Sequence, residues 1–153
     1  MQHFIGTLIS ECRNAAQPEE YDFFGELVGS WEIDYVDNDT GRTIRGEWHF
    51  ARILDGMAIQ DVILLPGFEH GTTLRVYKPA TRTWDIAYCY TGRIMRFEAR
   101  RVGDCIVLSS LEDERRKWVF VRIEASRFHW QDVRVGEDGE WHADFDLYAR
   151  RIG

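Results

Sequence analysis

Cysteine is scarce in this chain: Cys12, Cys89 and Cys105 are the three among 153 residues. The number is odd and no C-x-x-C spacing occurs, which suits reduced thiols in a cytoplasmic protein rather than a disulfide framework. Proline is scarce too, with three residues, and no apolar run approaches the roughly 20 residues that a membrane-spanning helix needs. The opening MQHFIGTLISECRN has neither the positive n-region nor the small-residue cleavage site of a signal peptide. Positive charge is in deficit. Nineteen Lys and Arg against 26 Asp and Glu give a net charge of −7, with both signs interspersed. That excludes the basic stripe of a nucleic-acid binder and the polybasic face of a protein held to an anionic membrane. No Gly-x-Gly-x-x-Gly, P-loop, His-Glu-x-x-His or Gly-x-Ser-x-Gly signature occurs, so nucleotide binding, zinc peptidase and serine hydrolase chemistry have no motif to stand on.

What the chain has is aromatic mass, with six Trp, six Tyr and nine Phe. Together with many β-branched residues, this points to strands. The first 29 residues read as helical: Phe4, Ile5, Leu8, Ile9 and Cys12 make one stripe, and a second helix is expected after Pro18, with Tyr21, Phe24, Leu27 and Val28 on one face and Gly29 at its end. From Ser30 the period changes to two. Turn signals such as Asp55-Gly56, Thr91-Gly92 and Gly136-Glu-Asp-Gly139 divide the rest into ten strands, over 30–36, 42–53, 57–65, 71–78, 83–90, 93–101, 104–111, 117–124, 127–135 and 140–150. No connection is long enough for a crossover helix. The expected fold is all-β: one domain over 1–153, an antiparallel up-and-down barrel of about ten strands over 30–151, closed because closure removes exposed edges.

Two words recur. Gly-Glu-Trp-His stands at Gly46–His49 and Gly139–His142, and Gln-Asp-Val at Gln60–Val62 and Gln131–Val133. Turn geometry fixes register. With Asp55-Gly56 as a two-residue turn, Trp48 faces Ile63 and Phe50 faces Asp61, and all four share the inner face with Ile59. With a two- or four-residue turn at Gly136–Gly139, Phe128, Trp130 and Asp132 share a face with Trp141, Ala143, Phe145 and Leu147. His129, Gln131, His142, Asp144 and Asp146 take the wet side. In both copies of the first word Trp points in while Glu and His point out, so His49 and His142 read as surface residues and His129 as a partner of Asp146. In both copies of the second word, Asp points in.

Those aspartates are the unusual feature, because an ionised carboxylate among Trp and Phe costs several kcal/mol unless it is paired, protonated or hydrated. Asp61 and Asp132 are therefore candidate site residues. The hairpin at Thr91-Gly92 adds Trp84, Ile86, Tyr88, Met95 and Phe97 to the lining. Over 117–124 two parities stay open: either Trp118, Phe120 and Arg122 face inward, or Val119, Val121 and Ile123 do. An inward Arg122 would partner Asp132 or an acidic ligand. His142-Ala-Asp144-Phe-Asp146 lies along one strand face at nearly 7 Å spacing, too spread to converge on one ion. No metal site is expected.

The stretch Leu27–Tyr35, LVGSWEIDY, resembles the Gly-x-Trp opening of the lipocalin and fatty-acid-binding-protein superfamily, with Gly29 and Trp31 at the two motif positions. The continuation GEWHFARILDGMAIQDVILLP also looks like bacterial lipocalin-like proteins of uncharacterised role. The resemblance implies a short helix before a first strand whose Trp plugs one barrel end, with a basic residue of the last strand packed on it. Arg151 has the parity for that cation–π contact. It implies ten strands of the fatty-acid-binding or nitrobindin type. The paired Arg-x-Tyr with which fatty-acid-binding proteins hold carboxylate is reversed here as Tyr148-Ala-Arg150, with outward parity. The haem histidine of nitrobindin-like proteins has its only late counterpart in His129, also outward.

The function expected is binding of a small, largely apolar molecule inside the barrel, contacted by Trp48, Phe50, Trp84, Phe97, Trp130 and Phe145 and oriented by Asp61, Tyr88 and Asp132. No cofactor is required. Two alternatives stand beside this: an isomerase, cyclase or hydratase in which Asp61 or Asp132 is general acid or base and Tyr88 polarises a carbonyl, and a haem protein. Ala58, Val62 and Leu64 on the outer face suit a homodimer contact or cover by the N-terminal helices.

Overall fold

The computed structural model describes residues 1–153. Strand structure begins at Gly29 and continues, turn by turn, to Arg151. The strands are β1 (Gly29–Asp37), β2 (Thr43–Ile53), β3 (Ala58–Leu65), β4 (Glu69–Lys78), β5 (Thr83–Tyr90), β6 (Arg93–Val102), β7 (Cys105–Ser110), β8 (Arg116–Ile123), β9 (Arg127–Val135) and β10 (Trp141–Arg151). Each pairs antiparallel with its neighbour in sequence. β1 also pairs with β10, so the sheet closes into a ten-stranded barrel without an open edge. The registers expected from the turns are present: Trp48 opposite Ile63, Phe50 opposite Asp61, Tyr88 opposite Met95 and Ile86 opposite Phe97.

The N-terminal segment departs from expectation. Helix α1 covers only Gln2–Leu8 and buries none of its residues. In place of a second helix there are two 3-10 turns, Glu19–Tyr21 and Gly25–Leu27. The aromatic residues of this segment are wanted at different points of the barrel end, and a straight helix cannot deliver them all. Phe24 and Leu27 are fully buried, and the Tyr21 carbonyl accepts the indole N–H of Trp84 at 2.8 Å. Asp22 pairs with Arg52 of β2 at 2.7 Å.

This segment seals one end of the barrel. The Trp31 side chain is fully buried and its indole N–H donates to the Leu27 carbonyl at 2.8 Å. The Arg151 guanidinium lies 4.2 Å over the Trp31 ring and donates to the carbonyls of Ala125, Val28 and Glu26. Gly29 makes room for it. Its φ is +132°, and a Cβ there would come within 2.5 Å of the guanidinium.

Two bulges correct the face assignments. The β9–β10 register shifts between Ala143 and Phe145. Phe145 and Leu147 keep the inner parity, but Trp141, expected inside, is half exposed on the outer surface, where the Lys117 ammonium lies 5.9 Å from its ring. The β8–β9 register shifts between Phe120 and Arg122. Each parity weighed for β8 therefore holds for part of the strand: Phe120 and Ile123 pack in the core, Val119 joins an outer cluster with Val107 and Val133, and Arg122 is outside against Glu124. His49 and His129 stay on the outer surface, while the β9–β10 bulge turns His142, expected outside, to the face of its partner Arg134 at the end of the strand. His49 meets the Ser30 hydroxyl at 2.8 Å, and His129 meets Asp146 at 2.5 Å while stacking on Tyr148. On the outer face of β3, Ala58 is fully buried and Val62 is exposed. No helix is long and apolar enough to cross a membrane.

Candidate functional site

The end opposite the seal opens into a cavity of about 170 Å³. Alternation along the strands sends Tyr35, Trp48, Tyr88, Trp118, Trp130 and Asp132 into it, with Glu69, Arg75, Arg93 and Arg116 between them. Of the residues named from sequence, Trp48, Tyr88, Trp130 and Asp132 line the cavity. Phe50, Trp84 and Phe97 have inner parity but fill the packed interior behind it. Phe145 stays at the rim, stacked on Tyr35 with ring centroids 4.8 Å apart.

Asp61 and Asp132 belong to two separate ion pairs. Asp61, in the middle of β3, is held by Arg75 of β4. The Nη2 and Nε groups donate to one carboxylate oxygen at 2.7 and 3.0 Å, and the side chains of Arg75 and Asp61 are 2% and 0% exposed. The guanidinium packs against the rings of Phe24, Phe120 and Phe50 at 4.7, 5.6 and 5.7 Å. The other oxygen, Oδ1, and Nη1 of Arg75 have no partner. Arg75 forms part of the cavity floor, and Asp61 lies behind it.

Asp132 is nearer the mouth. Nη1 of Arg116 lies 3.0 and 3.1 Å from its two oxygens. Burial outweighs the arginine and raises its carboxyl from 3.8 to about 6. The Trp118 indole N–H is near enough to favour the ionised form, yet it completes no hydrogen bond and is buried unpartnered, as is that of Trp48.

Tyr88 donates to the Glu69 carboxylate. It can reach Glu69 because Gly71, which lies between them in the wall, has no side chain: a Cβ there would come within 2.3 Å of the Tyr88 hydroxyl. Burial, then the hydrogen bond and charge of Glu69, push the Tyr88 phenol far above its ordinary range. Burial, followed by the charges of Asp132 and Glu69, does the same to Tyr35, against a smaller opposing effect of Arg116. Both phenols are therefore proton-bearing donors.

Sequence reasoning missed Glu69, Arg75, Arg116 and Tyr35. The signal for the first two was present. Leu65 pairs with Glu69 across a three-residue turn, so the parity of Asp61 passes to Glu69, Thr73 and Arg75. Arg116 shares the parity of Trp118 but falls one residue outside the expected strand.

No family model matches the chain, and no curated protein does. Among solved structures, the chain is similar to a redesigned β-barrel at 14% identity, with 94% of this chain and 99% of that one covered and a TM-score of 0.37.

Proposed function

We propose that the barrel binds a small, largely apolar molecule in this cavity. The observation that carries the reading is an aromatic-walled space, open at one end of a barrel whose other end is plugged by Trp31 and Arg151. A dry cavity of about 150 Å³ accepts benzene, so the occupant is of roughly one-ring size. Trp48, Trp118 and Trp130 supply apolar contact, while Tyr35, Tyr88 and Asp132 orient polar groups. Gly29, Trp31 and the Arg151 contact support placing the chain among the lipocalin-like barrels. The test is a toluene titration followed by the indole N–H resonances of the six tryptophans. Those of Trp48, Trp118 and Trp130 are expected to shift saturably, and those of Trp31, Trp84 and Trp141 to stay. Uniform shifts, or none, would refute the reading.

One observation favours a second reading, general acid–base catalysis: Asp132, whose carboxyl burial pushes up to about 6, and the proton-bearing phenol of Tyr35 line the same cavity. Of the residues first considered for it, Asp61 is tied to Arg75 and Tyr88 to Glu69, so Asp132 carries it. Asp132→Asn would abolish turnover of an identified substrate while leaving the barrel folded. Full retained turnover would refute it.

A further inference from the structure

The charges around the cavity are not matched at every point. Arg75 is spent on Asp61 and Arg116 on Asp132. Glu69 is different: its partner is the neutral phenol of Tyr88, and no Lys, Arg or His nitrogen approaches it within salt-bridge distance. Arg93 is the remaining cation in the lining. It is exposed at the rim, with its guanidinium 3.5 Å from the Tyr90 hydroxyl, where water screens it. The phenols sense the imbalance. Beyond burial, Glu69, Asp61 and Tyr90 raise Tyr88, and the charges of Asp132, Glu69 and Asp37 raise Tyr35 against an opposing effect of Arg116.

Around this unmatched carboxylate stand aromatic faces. Tyr88 stacks on Tyr90 with centroids 5.3 Å apart and meets Trp118 edge-on at 5.4 Å, and Trp118 and Trp130 are 5.8 Å apart. Tyrosine and tryptophan faces beside a carboxylate are the means by which proteins hold an organic ammonium ion, through the ring quadrupole and the anionic charge together. A carboxylate ligand would meet the Glu69 charge inside the cavity, with the unpaired Arg93 only at the rim.

We infer that the cavity selects a small organic cation, an ammonium group on a compact apolar body, seated on the Tyr88, Tyr90 and Trp118 rings with its charge toward Glu69. This rests on the ligand-binding reading and names its ligand class.

Three probes of one shape separate the possibilities: choline, its neutral isostere 3,3-dimethylbutan-1-ol, and 3,3-dimethylbutanoate. Each is titrated against the indole N–H resonances, with toluene alongside. Choline is expected to bind about tenfold tighter than the alcohol, as a cation–π contact reinforced by charge implies, and the anion weakest. Glu69→Gln keeps an acceptor for Tyr88 and should bring choline down to the affinity of the alcohol. The isostere comparison needs no variant and so survives if that protein folds poorly. Equal binding of choline and the alcohol overturns the cation inference and leaves the cavity reading standing, and tightest binding of the anion overturns it in favour of Arg93 and Arg116. If toluene shifts the cavity resonances and none of the three does, the inference alone falls; if toluene also fails, both fall.

Discussion

The inner wall holds two aspartate–arginine pairs whose surroundings give them opposite roles. In the Asp61–Arg75 pair both side chains are deeply buried, the guanidinium packed against Phe24, Phe50 and Phe120. In the Asp132–Arg116 pair the arginine is 41% exposed and reaches the rim. A buried pair is mutually obligatory, because removing one member strands a buried charge. A half-open pair lets the arginine return to water and leaves the carboxylate to bear the cost of burial alone, which is why Asp132 holds its proton to about 6. The first pair belongs to the architecture and the second to the site.

The largest expected effect breaks the buried pair. Arg75→Met should cost about 3–5 kcal/mol in chemical denaturation. Adding Asp61→Leu should recover most of that loss, and no recovery would mean the pair is not mutually obligatory. At the plugged end, Trp31→Ala should cost about 3–5 kcal/mol as a large buried aromatic is removed. A loss under about 1 kcal/mol would show that Trp31 is not the plug.

The half-open pair predicts the opposite sign. The folded protein binds the Asp132 proton more tightly than the unfolded chain, whose carboxyl titrates near 3.8. The stability this proton gives is present below pH 4 and is lost as pH rises to about 6. Asp132→Asn should therefore stabilise the barrel at pH 8, by about 2–3 kcal/mol, and the two proteins should converge at pH 4. A destabilised variant at pH 8 would erase the contrast between the pairs. The smallest effect belongs to Gly71→Ala. Its added methyl should displace the Tyr88 ring at a cost of about 1–3 kcal/mol and abolish the ligand-induced shifts. Unchanged binding would show that the Tyr88–Glu69 contact does not shape the site.

The strands, their order and most inward faces were legible because alternation and turn pairs act locally. Phe50 opposite Asp61 follows from Asp55-Gly56 alone. The bulges next to Asp144 and Val121 were not legible. One extra residue reverses parity without changing composition, and so Trp141 was misplaced and the orientation of β8 stayed open. Arg75 was hidden for another reason: Leu74 and Val76 beside it look like the inner residues of β4, yet Leu74 is exposed and Arg75 buried. The second helix failed because the pattern that fits one helical face also fits a segment pinned at successive points by Trp84, Arg52 and Trp31.

The seam between β1 and β10 has a consequence for how the chain is made. Asp34 and Arg150, hydrogen-bonded across it at 2.9 Å, are 116 residues apart in sequence. Nine strands can emerge from a ribosome and zip in order, each onto the last, but β1 keeps an unpaired edge until β10 appears. Throughout that interval the nascent chain is an open sheet with two free edges, exposed to pairing with other chains. Loop closure over such a distance is also slow compared with hairpin formation. The vulnerable interval for this barrel is therefore the one before β10 emerges, and a chain cut short of β10 would present a strand-rich sheet able to recruit its own copies.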